Sequence, residues 1–295
     1  MKQKIRIIVN PVSGSGRRKK ALKMIDKHLD TDKFDFDLVK TEYHRHAIEL
    51  TKEAIADGCK AVVIAGGDGS INEVGATLAG TDVALGIIPA GSGNGLSRSL
   101  GISLNPKKAV ANINNFNTRT IDTGIANGEP FMNMAGVGFD AAVSHAFHKQ
   151  KMRGLFKYFL LTLKVLWNYK LQTYKVIADG REFERKAYLI AAANSPQYGN
   201  DALVAPKAIV DDGMIDAVVV NKFPFPMIFV LFFQLFRGTL NTSPYIKTFK
   251  FKEMSIIQER PDVTHLDGDP FHLGERIDIK NNPMSLKVIV PDGKE

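Results

Sequence analysis

AVVIAGGDGSINEVG, residues 61–75, is the stretch that decides the fold of this chain. The apolar run at 62–65 is typical of a buried strand, and a helical pattern resumes at Asn72. Between them three glycines surround the carboxylate of Asp68. Glycines remove side chains from the main chain, so a bulky ligand can approach the backbone closely. The stretch therefore predicts a strand, a loop and a helix that together bind a phosphate-rich ligand.

The same strand–loop–helix pattern recurs through the first half of the chain. Strands are predicted at 5–9, 34–40, 60–65 and 83–88, and helices are predicted up to Leu29, at 47–57 and at 70–78. Glycine-rich loops follow three of the strands, at 13–16, 66–69 and 91–95. Such alternation predicts a parallel sheet with helices on its faces, and ligands bind at the carboxyl ends of its strands. We therefore predict an N-terminal α/β nucleotide-binding domain.

The sequence pattern of the second half differs from that of the first half from about residue 120. Strand-like segments separated by turn residues occur at 120–125, 174–178, 188–192, 214–220, 255–258, 276–279 and 286–290. Helical patterns occur only at 154–169 and 227–236. This arrangement predicts a mostly antiparallel, β-sandwich-like second domain. We assign residues 1–124 to the first domain and 125–283 to the second, with the tail of about 284–295 as a candidate to return to the first.

The amino-acid composition limits the cellular compartments and the binding partners that this protein could have. The chain has 39 basic and 31 acidic residues, a net charge of +8, which fits nucleic acid, an anionic membrane or phosphorylated ligands alike. The lone Cys59 excludes an intrachain disulfide and suits a reducing compartment, and we expect no secretory segment because residues 1–4 lead directly into a short strand pattern. The apolar run at 227–236 is too short to span a membrane. It predicts either a buried helix or one that lies at a membrane surface or lines a lipid pocket.

The common phosphate-binding motifs are absent. No Walker A sequence occurs, and Lys19 stands where a Rossmann fingerprint needs its third glycine. The protein-kinase H-R-D motif is missing, and no histidines or cysteines have zinc-ligand spacing. A rarer combination remains, in which a strand leads into GGDGSINE and a second strand leads into PAGSGNG.

GGDGSINE together with IIPAGSGNGLSRSLG resembles the diacylglycerol kinase catalytic family, which includes bacterial lipid kinases and is related to sphingosine kinases. Further matches, in the family's order, are IIVNPVSGSGR, FMNMAGVGFDA, NSPQYGN, AIVDDGMID and LDGDP. The resemblance implies transfer of the γ-phosphoryl group of ATP, with Mg²⁺, to a lipid hydroxyl. It also implies a cytoplasmic enzyme of phospholipid metabolism, peripheral to the inner face of the membrane, with a diacylglycerol-like or sphingoid acceptor. The oligomeric state stays open, with a homodimer as one option.

The family pattern assigns the ATP contacts. They would be Asn10, Thr41, Gly66, Gly67, Asp68, Gly69, Ser70, Asn72, Glu73 and Ser92. The glycines would let phosphates meet main-chain N–H groups at a helix N-terminus, where the dipole favours anions. The carboxylate of Asp68 would repel phosphate, so we expect it to hold Mg²⁺ or to orient the accepting hydroxyl. The alternative role for Asp68 is a helix N-cap.

The resemblance also assigns residues of the second domain. A structural Mg²⁺ site would use the carboxylate of Asp212 and the carbonyl oxygens of Ile209 and Met214; a metal-free acidic turn is the alternative. The family's general base is a glutamate, and Asp269 stands in its place. Its reach is shorter by about 1.5 Å, one carbon–carbon bond, a displacement that can cost about 100-fold in rate.

Three more residues of the second domain are candidates. Asp267 is a candidate to bridge to the nucleotide or to Mg²⁺, because two carboxylates two residues apart on an extended segment point the same way. Asn133 and Asp140 are candidates to contact the acceptor's polar head, and a purely structural role for Asp140 is the alternative.

Two other functions compete with the lipid kinase. An NAD kinase shares GGDG and a β-rich second domain, and a catalytically silent lipid- or nucleotide-binding protein would explain Asp269. A nucleic-acid-binding function is disfavoured, because the basic residues are scattered and no recognition motif occurs.

Overall fold

The computed structural model describes residues 2–11, 15–150, 155–261 and 263–292. Part of the predicted glycine-rich loop at 13–16, and Gly154 at the predicted start of a helix, lie outside these residues. The chain divides into two compact units. The first comprises Met1–Thr123, Gly199–Asp201 and Pro283–Glu295, and the second comprises Gly124–Tyr198 and Ala202–Asn282.

The first unit is built on a parallel sheet. Its elements are β1 (Gln3–Val9), α1 (Ser15–His28), β2 (Phe34–Lys40), α2 (His46–Ala56), β3 (Ala61–Gly66), α3 (Asp68–Leu78), β4 (Ala84–Pro89), α4 (Gly95–Ser99) and α5 (Pro106–Asn115). The strands run in the order β4-β3-β1-β2, and each neighbouring pair is parallel. Every residue of β3 and β4 is buried, as a sheet covered on both faces requires. The predicted α/β architecture is confirmed.

Helices cover both faces of this sheet. Alternate residues of β1 and β3, such as Ile7 and Val63, form a core with α1 and α5. The opposite face of β1 carries Arg6, whose guanidinium donates to the Leu50 carbonyl of α2 at 3.2 Å. The sequence missed α5, although Asn105 caps it, because its three asparagines obscure the apolar period.

The second unit is mostly antiparallel. Its elements are β5 (Thr118–Ala126), β6 (Glu129–Phe131), β7 (Met134–Gly138), α6 (Phe139–Gln150), α7 (Leu155–Asn168), β8 (Gln172–Ala178), β9 (Arg181–Ala193), β10 (Ile215–Asn221), α8 (Met227–Arg237), β11 (Ile246–Phe251), β12 (Glu253–Gln258), β13 (Thr264–Leu266), β14 (Asp269–Phe271) and β15 (Arg276–Ile289). The chain passes between the units within β5 and β15. The predicted sandwich-like domain is confirmed.

The long strand β9 organises the second unit. Its first half pairs with β8, and its second half lies between β7 and β10. Because strand side chains alternate, Ile190 and Ala192 enter one core while Leu189 and Ala191 enter another. The first core contains residues of β12 and β15, and the second contains residues of the three helices α6 to α8.

Several element boundaries differ from the sequence prediction. The segments at 276–279 and 286–290 belong to one strand, β15, rather than to two. Helix α6 was not predicted, because the glycines before it suggested a loop. In the described part of the chain, no helix is long and apolar enough to cross a membrane.

Candidate active site

Three loops of the first unit begin at one edge of the parallel sheet. Main-chain hydrogen bonds continue past the strand ends, from Asn10 to the Ala65 carbonyl (3.2 Å), from Thr41 to that of Val9 (3.0 Å) and from Ala90 to that of Gly66 (2.8 Å). This edge is the carboxyl end of the strands, where ligands bind in open α/β sheets. Asn10 and Ser70 meet there, because the Asn10 amide donates to the Ser70 hydroxyl at 2.7 Å.

Asp68 ties two of these loops together. It opens α3, but its carboxylate accepts from the backbone N–H groups of Asn94 (2.8 Å) and Gly95 (2.7 Å). Those groups belong to the loop after β4 and to the start of α4. The carboxylate therefore caps the next helix, not its own. The two N–H donors fix the orientation of this carboxylate.

The glycines of the two loops are required by their close approach. A Cβ atom on Gly91 would lie 2.6 Å from the Gly67 Cα, and one on Gly93 would lie 2.9 Å from the Asp68 carboxylate. Asn94 turns the chain with φ of 54°, and its side chain bonds the N–H and carbonyl of Gly91, each at 3.0 Å. No role was predicted for Asn94, although an asparagine between glycines favours the left-handed conformation.

Among the described residues, no side chain caps the N-terminus of α3. Gly67 is its N-cap, and the first main-chain bond back into the helix runs from Ile71 to the Gly67 carbonyl at 3.0 Å. The earlier N–H groups, which include Gly69 and Ser70, have no carbonyl to meet within the helix. The helix dipole adds positive potential at the same place. This end of α3 is therefore suited to an anion such as a phosphate.

The other predicted ATP contacts lie on the same structural elements. Asn72 and Glu73 are half-buried in the second turn of α3, and Ser92 is exposed in the loop after β4. Arg17, on α1, donates to the Gly91 carbonyl at 2.5 Å and so lies beside that loop. The structure thus gathers the predicted contacts of the first unit around the ends of the four strands β1 to β4.

In the second unit, Asp267 and Gly268 form a tight turn between β13 and β14. Both have positive φ, 50° and 94°, and Leu266 pairs with Asp269 across the turn. The prediction of an extended segment with both carboxylates on one side is therefore wrong at Asp267. The carboxylate of Asp267 accepts from three backbone N–H groups, those of Met132 (2.8 Å), Asn133 (2.8 Å) and Met134 (2.7 Å).

The environment of Asp267 changes its acidity. Burial raises its pKa to about 6, although the three N–H donors and His265 act in the opposite direction. A carboxylate so enclosed fastens the β13–β14 turn to the loop before β7. Asn133 is also occupied locally, because its side-chain oxygen accepts from the Ser195 hydroxyl at 2.9 Å and the residue is buried.

Asp140 lies in a cluster that the sequence analysis did not foresee. One of its oxygens accepts from the Tyr198 hydroxyl at 2.7 Å and lies 2.9 Å from Nε2 of His265. The other accepts from the Ala141 N–H at 2.8 Å. An added Cβ on Gly136 would lie 2.3 Å from the Asp140 carboxylate, so this glycine makes room for the cluster.

His265 and Tyr198 are the residues that sequence reasoning missed here. Tyr198 stands in the family-like NSPQYGN segment, which was a usable signal, whereas His265 lies in a strand of three residues with no pattern of its own. His265 is buried, and its Nδ1 has no hydrogen-bond partner within the described residues. Asp269, the candidate base, is half-buried at the start of β14.

The predicted structural metal site lies in the irregular segment before β10. Asp212 accepts from the Met214 N–H at 3.1 Å, and its other oxygen accepts from the Lys250 ammonium. Lys250 also lies 3.4 Å from Asp216. Burial lowers the pKa of Lys250, but the two carboxylates outweigh burial and the net shift is upward. A metal at Asp212 would therefore compete with a resident ammonium, and the described residues contain no cluster of three His, Cys, Asp or Glu side chains suited to a metal.

Comparisons with known proteins agree with these features. Residues 4–126 match the model of the diacylglycerol kinase catalytic domain, and 133–290 match that of the YegS C-terminal NAD kinase beta sandwich-like domain. A diacylglycerol kinase of Mycobacterium tuberculosis is 30% identical, with 98% of this chain and 95% of that protein aligned. One from Bacillus subtilis is 30% identical over 75% of this chain and 74% of its own. A solved Bacillus anthracis structure, described as a candidate diacylglycerol kinase, matches with a TM-score of 0.84 and 25% identity over 98% of this chain and 95% of that one.

Proposed function

Because this chain belongs to the diacylglycerol kinase family, we propose that it transfers the γ-phosphoryl group of ATP to a hydroxyl of a lipid. The observation that carries the proposal is the junction at Asp68, where two glycine loops meet beside the uncapped end of α3. A triphosphate needs close main-chain approach and N–H donors, and this junction offers both.

The first unit binds ATP in this proposal. The N–H groups at Gly69 and Ser70 face the phosphates, and the loop containing Ser92 lines the same edge. Thr41 and Asn10 complete the edge at the ends of β2 and β1. The assignment of ATP to about 1–124 with the tail 284–295, and of the lipid to 125–283, is supported by the division into two compact units.

Mg²⁺, when bound with ATP, would neutralise charge that develops on the phosphoryl oxygens. Asp68 fits a role in holding this ion, because its carboxylate is anchored by two N–H groups next to the α3 N-terminus. The residues at Asp212 fit a second, structural ion less well, since Lys250 already supplies a cation there.

Asp269 accepts the proton of the lipid hydroxyl in this mechanism. It starts β14 directly after the turn that Asp267 fastens, so the turn fixes its main chain. Asp140 is held by Tyr198 and His265 and is proposed to orient the acceptor's polar head. Asp267 is proposed to position Asp269 rather than to react. We further propose that the enzyme works at the inner face of the cytoplasmic membrane.

A lipid phosphorylation assay tests this function. The purified protein is incubated with Mg²⁺, labelled ATP and mixed micelles of diacylglycerol, monoacylglycerol, sphingosine, ceramide or phosphatidylglycerol, with NAD⁺ as a separate acceptor. We expect label in one lipid, and a loss of at least about 100-fold in Asp269→Ala, the typical contribution of a positioned general base. Asp68→Ala should lose activity as well.

The matched control is Asp179→Ala, since Asp179 is an exposed carboxylate that accepts from the backbone of Lys252 in a turn elsewhere. It should retain activity. Label in NAD⁺ would establish the alternative NAD kinase, which shares GGDG and a β-rich second domain with this chain. ATP binding without transfer to any acceptor would favour the catalytically silent relative, with Asp269 as its cause.

A further inference from the structure

Helices α7 and α8 expose an unusual number of large apolar side chains. The residues concerned, which we call the aromatic surface, are Leu160, Trp167, Phe225, Phe229, Val230 and Phe233. Trp167 is 74% exposed, Phe233 57% and Phe229 55%. Six of the ten large hydrophobic residues that are exposed in the described part of the chain belong to this one surface. Contiguous apolar exposure of this kind marks an interaction site.

The surface is continuous between the two helices. The Trp167 ring meets the Phe225 ring edge-on at 5.3 Å, and Phe159 contacts both Phe232 (4.2 Å) and Phe229 (6.1 Å). These ring contacts join α7 to α8 and to the loop before it. The exposed rings are therefore held in one place rather than scattered.

Both helices are anchored by their opposite faces. Leu166 of α7 and Ile228 and Leu231 of α8 are buried in the core beside β9 and β10. In α8, positions 229, 230 and 233 recur at helical spacing on the outer side, and in α7 positions 160, 164 and 167 do the same. One face of each of these two helices is therefore buried, and the other face is apolar and exposed.

The charged residues beside the aromatic surface indicate what kind of partner binds it. Residues 155–170 and 222–238 contain no aspartate or glutamate, whereas Lys164, Lys170, Lys222 and Arg237 are all exposed. Lys164 lies between Leu160 and Trp167 on the outer face of α7, and the Arg237 guanidinium stacks on the Phe233 ring at 4.5 Å. Exposed aromatic rings on segments whose charged side chains are all cationic are typical of elements that lie in an anionic membrane interface. A second copy of the chain would bring like charges together.

We propose that the aromatic surface docks this protein onto an anionic lipid bilayer, with Trp167, Phe229 and Phe233 entering the interface and Lys164 and Arg237 meeting lipid phosphates. The helices lie on the membrane and do not cross it. The purpose of the docking rests on the proposed function, since a lipid kinase must reach its acceptor. The docking itself requires neither ATP nor catalysis.

Trp167 reports on this docking directly, because it is the one tryptophan in the sequence. Vesicles of phosphatidylcholine alone, or with a third of phosphatidylglycerol, are titrated into the protein without ATP. We expect a blue shift of the tryptophan emission with anionic vesicles only, and quenching when the acyl chains carry bromine. Phe229→Ser with Phe233→Ser should weaken partitioning at least about tenfold, which is about 1.4 kcal/mol.

The matched control is Met284→Ser, because Met284 is 60% exposed and lies far along the chain from the aromatic surface. It should bind vesicles like the wild type. Circular dichroism and the thermal midpoint check that the double variant is folded. An emission unchanged by anionic vesicles, equal binding to neutral vesicles, or undiminished binding by the folded double variant would overturn the proposal. So would a dimer that sedimentation detects and that the double variant abolishes, without any vesicle binding.

The same variants separate this proposal from the proposed function. With a short-chain acceptor dissolved in water, the double variant should phosphorylate as fast as the wild type. Absence of phosphoryl transfer by the wild type, together with intact vesicle binding, would refute the kinase and leave the docking standing.

Discussion

At the scale of residues, three aspartates show how the local environment gives the same type of side chain different roles. Asp68 accepts from the main chain of a neighbouring loop, and Asp267 is enclosed by three N–H groups. Asp269 stays half-buried at a strand start. All three stand beside glycine in the sequence and are indistinguishable there. All three residues are half-buried, so the hydrogen bonds of Asp68 and Asp267, and not their exposure, distinguish these two carboxylates from each other.

The raised pKa of Asp267 makes stability depend on pH. Its pKa is about 6 when folded and 3.8 in the unfolded reference, so between these values the folded state holds the proton that the unfolded state has lost. The free energy of unfolding should therefore fall as pH rises from about 4 through 6, by about 3 kcal/mol for this group. The side chain of Asp267→Asn cannot titrate. As the pH rises from about 4 through 6, the free energy of unfolding of the wild type should therefore fall by this amount relative to that of the variant.

Urea unfolding at pH 4.5, 5.5, 6.5 and 7.5 measures that difference. Asp179→Asn is the control, because Asp179 also accepts backbone N–H bonds in a turn but is exposed. Its difference from wild type should stay flat over the same range. A flat difference for Asp267→Asn as well would contradict the buried, protonated carboxylate.

At the scale of elements, the glycine loops make the site possible by their packing against each other. The sequence predicted that the loops after β3 and β4 would share an edge, because parallel strands present their carboxyl ends together. It did not predict that Gly91 would touch Gly67, or that α4 would begin on the carboxylate of Asp68. Those contacts join residues more than twenty positions apart, and no local pattern encodes them.

Gly91→Ala should separate the two loops. Its Cβ would stand 2.6 Å from the Gly67 Cα, and main-chain atoms cannot move aside as a flexible side chain can. We expect a loss of about 1–3 kcal/mol in the free energy of unfolding, typical of overpacking, and weaker nucleotide binding by calorimetry. Gly16→Ala is the control for stability alone, since an added Cβ there meets no described atom within 4 Å. Equal stability of the two variants would show that the loops are not in contact.

At the scale of the whole molecule, the chain returns to its first unit at its end. The last part of β15 pairs with β4 through Val288 and Leu85, and Ile289 is fully buried in the core of the first unit. The Asn112 side chain of α5 also donates to the Ile289 carbonyl at 3.2 Å. The first unit is therefore completed by residues that follow the entire second unit.

Ile289→Ala tests this return. Removal of a fully buried isoleucine side chain costs about 2–5 kcal/mol, because a cavity remains in the core. We expect a loss of this size in chemical unfolding, although the position is near the chain end. Met284→Ala, at an exposed position of the same strand, should change stability by less than about 0.5 kcal/mol. Similar small losses in both variants would mean that the tail does not pack on the first unit.

The sequence by itself determined the fold class and the shared edge of the glycine loops, because these follow from local periodicity, turn residues and the rule that parallel strands end together. It indicated the family through the resemblance of GGDGSINE and PAGSGNG to the motifs of that family. Only the tertiary structure decided that three main-chain N–H groups hold the carboxylate of Asp267, that His265 and Tyr198 hold Asp140, and which face of α8 is exposed. Burial and long-range hydrogen bonds arise when distant segments meet. The chemical environment of the residues around 267 depends on the loop near 133. A local sequence pattern cannot predict a contact between segments so far apart in the chain.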